Sequence, residues 1–328
     1  LLMAASGGGR EPRVAVVGAT GAVGGQLLEL ILSRAFATSE LRPFASDAGE
    51  ATAVDIGDDH HVVHRLESPA QLNRFDIAFL AVPAGIAQEI IAARPGPALI
   101  DLSGALRAPS PAAALVAPGL TSREKLTRFK DERVFATPHP AAHAIATCLR
   151  ALEIDSGFVS AVFLQGASAG GRDRITAAVE QTTDLLSGRL GLEDQEVQRG
   201  FNLFVHREEL IAREAITSQV SHLLGRAPQI VTTAVAVPVL HGAGLVIHLP
   251  AAPKAAGRAE EMLRAAPGLL MVEAGQPLGI ADAVGQEAII VRVDNLLDGV
   301  ALWCVLDNTR LAALLAMWIA ENLPFDAD

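Results

Sequence analysis

Arg13–Val17 is a short β-rich run, and Gly18-Ala19-Thr20-Gly21-Ala22-Val23-Gly24-Gly25 follows it directly. Beyond the glycines, Leu27, Leu28, Ile31 and Leu32 fall on one face of a helix. This order predicts strand, glycine turn, helix. Leu41–Ala45 predicts a second strand. Asp76–Val82 and Ala98–Leu102 are continuous apolar runs, the pattern of parallel strands buried on both faces, with a helix expected over Ala87–Ala93 between them. Strand and helix alternating in this way predict an α/β domain built on a doubly wound parallel sheet.

The rhythm changes after about residue 138. Val159–Gln165 predicts a strand, and Asp173–Leu190 a long helix with Ile175, Val179, Leu185 and Leu186 on one side. Ile230–Val239 alternates with period two through Val231, Thr233, Val235, Val237 and Val239. Gly244–Leu249, Ala288–Val293 and Gly299–Val305 read as further strands. Strands with long connections predict an α+β domain on a mixed sheet, one face covered and the other offered to helices or a second subunit. A last helix, Thr309–Glu321, is expected to pack back on the first domain. The expected division is a flexible tail over 1–12, a dinucleotide-binding domain over 13–138 completed by 309–328, and a dimerisation or substrate domain over 139–308.

Composition narrows the function classes. Half of the 328 residues are hydrophobic, which suits a folded globular chain. A net charge of −11 and a pI near 5.3 argue against nucleic acid and against an anionic membrane surface. The longest apolar stretch, Leu311–Ala320, is too short to cross a bilayer. Residues 1–12 lack the pattern of a secretory signal. Cys148 and Cys304 are the only cysteines, which fits a reducing, cytoplasmic compartment, and no His/Cys spacing suggests a metal.

The glycine loop is the first candidate site. Gly18 permits a tight turn, Gly21 lets backbone approach a pyrophosphate, and Gly24 allows helix and strand to pack closely. The helix N-terminus adds free N–H groups and partial positive charge. Gly18, Thr20, Gly21, Ala22, Val23, Gly24 and Ser46 are therefore the expected cofactor contacts, in a Rossmann-like domain.

Several motifs then occur in one order: GATGAVGG; Phe44-Ala45-Ser46; Ile100-Asp101-Leu102-Ser103-Gly104-Ala105-Leu106-Arg107; Gln165 with its Ser/Gly loop; Val237-Pro238-Val239; Asp282-Ala283-Val284-Gly285. Together they resemble the aspartate-semialdehyde dehydrogenase family, most closely its divergent Usg-like branch. The resemblance implies a two-domain dimer. In the family a cysteine thiolate attacks the aldehyde, a histidine handles protons, hydride passes to NADP, and phosphate releases the acyl group. Arg107 matches the family's phosphate-binding arginine, and Gln165 the residue that orients the reacting group. Asp307-Asn308-Thr309-Arg310 matches its Asp-Asn-x-Arg.

The chain departs from the pattern at the chemistry. Thr137-Pro138-His139-Pro140-Ala141-Ala142 stands where the family has its cysteine segment, and the nucleophile position is Pro140. Val237-Pro238-Val239-Leu240-His241-Gly242-Ala243 stands where the family ends on its acid–base histidine, and that position is Ala243, with His241 two residues earlier. The substrate-carboxylate arginine falls on Ser221, and Leu314 enters a stretch that lies near the nicotinamide in the family. Ser46 is followed by Asp47 and Glu50 rather than by an arginine, which favours NAD over NADP as the cofactor.

Substitute groups are weak. Cys148 reads as a core thiol on a helix over Ala141–Leu152. His139 and His143 flank the lost nucleophile and could move protons. Lys125, Lys130 and Lys254 read as solvated, Arg172 and Arg174 as exposed at a helix start or bound to an anion, and His60-His61 as a charge-rich turn. Three readings follow: a homologue silent in the family reaction that serves as a binding or partner protein, as a homodimer or with a paralogue; an NAD-dependent oxidoreductase with non-thioester chemistry; and an active semialdehyde dehydrogenase.

Overall fold

The computed structural model describes residues 10–45, 53–56, 59–106, 113–129, 131–154, 157–189, 197–205, 207–226, 228–250, 258–273, 275–296 and 299–324. The chain divides into two compact units, Leu1–His139 with Ala312–Asp328, and Pro140–Leu311.

The first unit contains β1 (Arg13–Val17), α1 (Ala22–Ser33), β2 (Glu40–Ala45), β3 (Ala53–Ile56), β4 (Asp59–Val62), β5 (His64–Arg65), β6 (Ile77–Leu80), α2 (Ala84–Ala93), β7 (Ala98–Asp101), β8 (Ala114–Leu115), α3 (Arg123–Thr127) and β9 (Val134–Ala136). Seven strands form one sheet in the order β5-β2-β1-β6-β7-β9-β8, every pair parallel. The continuous apolar runs are explained by two cores. Val14, Val16, Ile77, Phe79 and Ile100 point to one, with Leu27, Leu28 and Ile31 of α1. Ala15, Val17, Ala78, Leu80 and Leu99 point to the other, with Ala87 and Ile90 of α2. Successive strand residues face opposite sides, so covering both faces requires every position to be apolar. The order reverses between β1 and β6, and the glycine loop leaves β1 at that reversal, where doubly wound sheets hold ligands.

The second unit begins with α4 (Pro140–Ala151) and continues through β10 (Phe158–Gln165), α5 (Gly171–Leu186), α6 (Arg207–Leu224), β11 (Gln229–Ala236), β12 (Ala243–Pro250), α7 (Ala259–Arg264), β13 (Leu269–Met271), β14 (Ile289–Leu296) and β15 (Gly299–Leu306). Its sheet runs β11-β10-β12-β15-β14-β13; the β10–β11 and β13–β14 pairs are parallel and the rest antiparallel. α6 packs on β11 and on α4. The final helix, α8 (Asn308–Glu321), passes from one unit to the other, and Ala313, Leu314, Ala316, Met317 and Ile319 fill the α1-side core of the first.

Several local expectations are corrected. In β11 the alternating set Val231, Thr233 and Val235 is not the one that faces the core: Val231 is 53% exposed, while Thr232, Ala234 and Ala236 are buried. Small side chains are selected on that face because α6 lies close against it, near enough for Thr217 Oγ1 and Thr232 Oγ1 to sit 3.3 Å apart. The strand ends at Ala236, before Val237-Pro238-Val239, since Pro238 has no N–H for a ladder. Helix α5 ends at Leu186, and Leu190 lies outside the described residues. Gly188 takes φ +72° there, and the Arg189 N–H reaches the Asp184 carbonyl at 2.9 Å, a glycine stop that period counting overlooks. Leu186 is 73% exposed and Val179 is also exposed; of the helix, Ala178 is what the unit buries. His60-His61 belongs to β4, paired with β3 in a hairpin, rather than to a turn.

Candidate functional site

In the first unit the glycine loop is shaped by backbone contacts. The N–H groups of Gly18 and Ala19 both donate to the Phe44 carbonyl, at 2.8 and 3.0 Å, and the Gly21 N–H closes back on the Gly18 carbonyl at 3.0 Å. Gly18 sits at φ +88°, and a Cβ there would lie 2.2 Å from the Ala81 carbonyl oxygen. A Cβ on Gly24 would lie 2.1 Å from the Gly18 carbonyl oxygen. Gly21 is different: its Cβ would meet that oxygen at 3.2 Å, a tight but adjustable contact. Helix α1 starts without a side-chain cap and without an acidic residue in its first turn. The Ala22, Val23 and Gly24 N–H groups therefore have no partner within the helix and can meet an anion. Thr20 is half-buried beside them. This cradle fits a dinucleotide pyrophosphate. Ser46 and the acidic Asp47–Glu50 segment lie outside the described residues.

At the end of β7, Asp101 organises the turn that leads to Arg107. Its Oδ1 accepts from the Ser103 N–H at 2.9 Å and from the Ser103 hydroxyl at 2.5 Å, and its Oδ2 accepts from the Leu106 N–H at 3.2 Å. The Ser103 hydroxyl oxygen also accepts from the Ala105 N–H. Burial raises the Asp101 carboxyl above its ordinary value, and these donors oppose the rise. Arg107 itself lies outside the described residues.

In the second unit the motifs converge. Gln165 on β10 pairs directly with Ala243 on β12, and Ala243 with Leu306 on β15. Ala167 and Ser168, just past Gln165, donate their N–H groups to the Val239 and Leu240 carbonyls at 2.8 and 2.9 Å. The Ser168 hydroxyl donates to Asn308 Oδ1 at 2.8 Å. Asp307 caps α8, its Oδ1 accepting from Thr309 and Arg310 N–H groups, while its Oδ2 accepts from the Gly285 N–H at 2.9 Å. Four sequence motifs are thus tied into one hydrogen-bonded knot. Separation in sequence hid this; no pattern in Asp307 alone announces that it will hold Gly285.

Pro140 opens α4 at the first helical position, where a missing N–H costs nothing. His139 is half-buried before it, and His143 one turn on is buried, with Nδ1 lacking a partner. Burial depresses the His143 pKa to about 4, so it is neutral near pH 7. The unfolded chain binds this proton near pH 6.5 and the folded chain only near pH 4, so stability falls as pH drops through that window. Urea titrations at pH 7 and pH 4.5 are expected to show a loss that His143→Leu reduces by about 2 kcal/mol. An unchanged acid limb in the variant counts against the burial of a neutral imidazole.

The other substitutes are placed as follows. Cys148 is 0% exposed and contacts Cys304, also 0% exposed, between α4 and β15. Contact with Cys148 and burial push the Cys304 thiol up. His241 is exposed, and the Ser221 hydroxyl is spent on the Thr217 carbonyl. Leu314, which the resemblance brought near a nicotinamide, is instead spent in the first unit's core. Lys125 is half-buried rather than solvated, and desolvation lowers its pKa. Arg172 is exposed as expected for a helix start, but Arg174 is half-buried, folded over Gly170. Lys130 and Lys254 lie outside the described residues. Among the described residues no cluster of His, Cys, Asp and Glu could hold a metal, and no helix is long and apolar enough to cross a membrane.

Comparison with known proteins bears on the whole arrangement. The family model described as "Semialdehyde dehydrogenase, NAD binding domain" matches residues 13–129, a stretch that contains the glycine loop and the Asp101 turn. Aspartate-semialdehyde dehydrogenase of Legionella pneumophila is 28% identical over 337 residues, covering 96% of each chain. The chain is similar to aspartate-semialdehyde dehydrogenases over nearly its whole length. Among solved structures, a probable aspartate-semialdehyde dehydrogenase from Pseudomonas aeruginosa aligns with a TM-score of 0.82 at 28% identity, over 95% of this chain and 98% of that one. Aspartate semialdehyde dehydrogenase II from Vibrio cholerae, complexed with ASA, aligns with a TM-score of 0.82 at 25% identity, over 96% and 98%. This likeness accounts for the doubly wound sheet and the mixed sheet together, and the family-model match for a first domain of the nicotinamide-cofactor-binding kind.

Proposed function

We propose that this protein is a member of the family, on its Usg-like branch, that keeps the dinucleotide cradle and has given up covalent aldehyde dehydrogenation. The single observation that carries this is the pair of residues at the two chemical positions. Pro140 heads α4 with no sulfur, and Ala243 lies opposite Gln165 with no imidazole. A thiolate is needed to form the tetrahedral adduct and then hold the acyl group, and neither a pyrrolidine ring nor a buried Cys148 supplies one. Losing members of a catalytic unit removes several powers of ten in rate.

The first unit is read as the dinucleotide-binding domain. The Gly18–Gly24 turn and the α1 N-terminus hold the pyrophosphate, and Thr20, Ala22 and Val23 line its approach. When bound, the nicotinamide supplies a hydride acceptor. Ser46 follows β2, where a ribose would lie, and the Asp47 and Glu50 carboxylates repel a 2′-phosphate, which favours NAD over NADP. Arg107 and Gln165 are the remaining family-type ligand contacts for a small molecule. His139 is the proton-transfer group open to a non-thioester oxidoreductase. The role is that of a cytoplasmic binding or partner protein. The test pairs binding with turnover: NAD should bind by calorimetry, while aspartate semialdehyde with phosphate and either nicotinamide cofactor should give no reduced product. Turnover by the purified chain overturns the proposal.

The second unit is read as the dimerisation domain, pairing as a homodimer or with a paralogue. Its sheet leaves Phe158, Val231 and Val246 exposed by 46%, 53% and 39%, a grouping of large apolar side chains on three adjacent strands. Val231→Asp combined with Phe158→Asp is expected to convert the assembly to monomer in analytical ultracentrifugation while leaving NAD affinity within twofold. A double variant that sediments as the wild type rules this face out.

A further inference from the structure

Cys148 and Cys304 are the only cysteines of the chain, and they lie 156 positions apart. Strand register places Cys304 on the helix-covered face of the second unit's sheet. Ala234, Phe163, Leu245, Cys304 and Val291 stand in one row across β11, β10, β12, β15 and β14, and all five are buried. Residues paired in register point to the same side, and Ala234 belongs to the face on which α6 lies. Helix α4 occupies the same layer, packed on α6 and α7. Cys148 is on α4, with Ala144, Ile145 and Leu149 buried around it. There the two thiols come into hydrogen-bonding contact.

We propose that this pair is a built-in redox staple, which a hydroperoxide oxidises to a Cys148–Cys304 disulfide that ties α4 to the sheet. With hydrogen peroxide the chemistry has two steps. One Sγ first attacks a peroxide oxygen as its own proton leaves; the O–O bond breaks, water departs, and a sulfenic acid remains. The other Sγ then attacks that sulfur; the S–S bond forms, the S–O bond breaks, and a second water carries off the remaining thiol proton. Two thiols and one hydrogen peroxide thus give one disulfide and two waters. The sulfurs lose two electrons, and the peroxide gains them. No other cysteine competes, so only one bridge within the chain is available.

Burial decides the character of the staple. Both sulfurs are 0% exposed, and Cys304 is flanked by the apolar Leu245 and Val291. Oxidation therefore waits for local opening or for a water-sized oxidant to enter, and it is slow. Reduction is slow for the same reason, because a thiol reductant must reach one of the two sulfurs. Such a pair responds to sustained oxidising conditions and not to a brief pulse. The bridge closes a long loop, the case in which a cross-link restricts the unfolded chain most. It is independent of the dinucleotide cradle and of the missing nucleophile.

The full chain, first reduced, is treated with hydrogen peroxide, freed of the excess with catalase, and mapped by mass spectrometry under non-reducing conditions. The expected product is a single chain, lighter by two hydrogens, with the Cys148 and Cys304 peptides joined. Its melting temperature should rise by roughly 5 °C or more. Amide exchange in α4 should slow, and dithiothreitol should reverse both changes, quickly in urea and slowly in the folded protein. Cys148→Ala and Cys304→Ala should each abolish the bridge and the rise in melting temperature, and their melting curves without oxidant show whether they fold. Refolding the unaltered chain in oxidised glutathione tests the bridge without any variant, and the folded product should carry it. Oxidation of either thiol to a sulfinic acid without the bridge, a bridge between two chains, a product that refolds reduced in oxidised glutathione, or a bridge that leaves melting and α4 exchange unchanged overturns the proposal.

Discussion

Native protein is expected to leave both of its thiols unlabelled by iodoacetamide for hours, and a Pro140→Cys variant to take up one label within the first minutes. The contrast comes from position. Cys148 and Cys304 are both 0% exposed and in contact, and Cys304 is held protonated at neutral pH by that contact and by burial. Their labelling must wait for local or global opening, which populates roughly 10⁻³ to 10⁻⁶ of the molecules. A cysteine at position 140 would instead head a 12-residue helix in a half-buried place, where the helix dipole stabilises a thiolate. Peptide mapping of the labelled sulfur is the measurement. Rapid modification of Cys148 in the unmodified chain defeats the core assignment and restores a thiol nucleophile to contention.

The three loop glycines are expected to separate folding from binding. Gly24→Ala should cost about 3 kcal/mol, because the new Cβ meets backbone, the Gly18 carbonyl oxygen at 2.1 Å, and neither partner can rotate away. Gly18→Ala should cost at least as much, since it adds the strain of a side chain at φ +88° to a 2.2 Å contact with the Ala81 carbonyl. Gly21→Ala adds a 3.2 Å contact that a small shift relieves, so its stability should fall by less than about 1 kcal/mol. Its methyl group nevertheless stands where the pyrophosphate approaches, and NAD affinity should drop at least tenfold. Urea denaturation gives the first quantity and calorimetry the second. A Gly21→Ala protein that binds NAD as tightly as the wild type removes the loop from the cofactor site.

Legibility differed between the two units for a physical reason. In the first, each strand is buried on both faces, so β1, β6 and β7 had to be unbroken apolar runs, and Ile77–Leu80 could be recognised without knowing its neighbours. The glycine turn was legible because steric contacts leave no other residue at Gly18 and Gly24. In the second unit one sheet face is open, and period two in β11 announces a strand without saying which set of side chains faces inward. Thr232, Ala234 and Ala236 are inside because α6 needs room, and α6 was not evident from its own sequence. The turn assigned to His60-His61 failed similarly, since charge suggested solvent and the β3 partner was invisible.

By itself the sequence determined the doubly wound sheet, the glycine turn and the order of the family-like motifs, all of which depend on residue identity or on contacts close along the chain. Tertiary structure alone decided that Cys148 lies against Cys304, that Gln165 is paired with Ala243, and that Asp307 holds Gly285. These pairings join residues 22 to 156 positions apart, and no local periodicity carries information over such distances. They follow from strand register and helix packing, which are fixed only when the whole core closes.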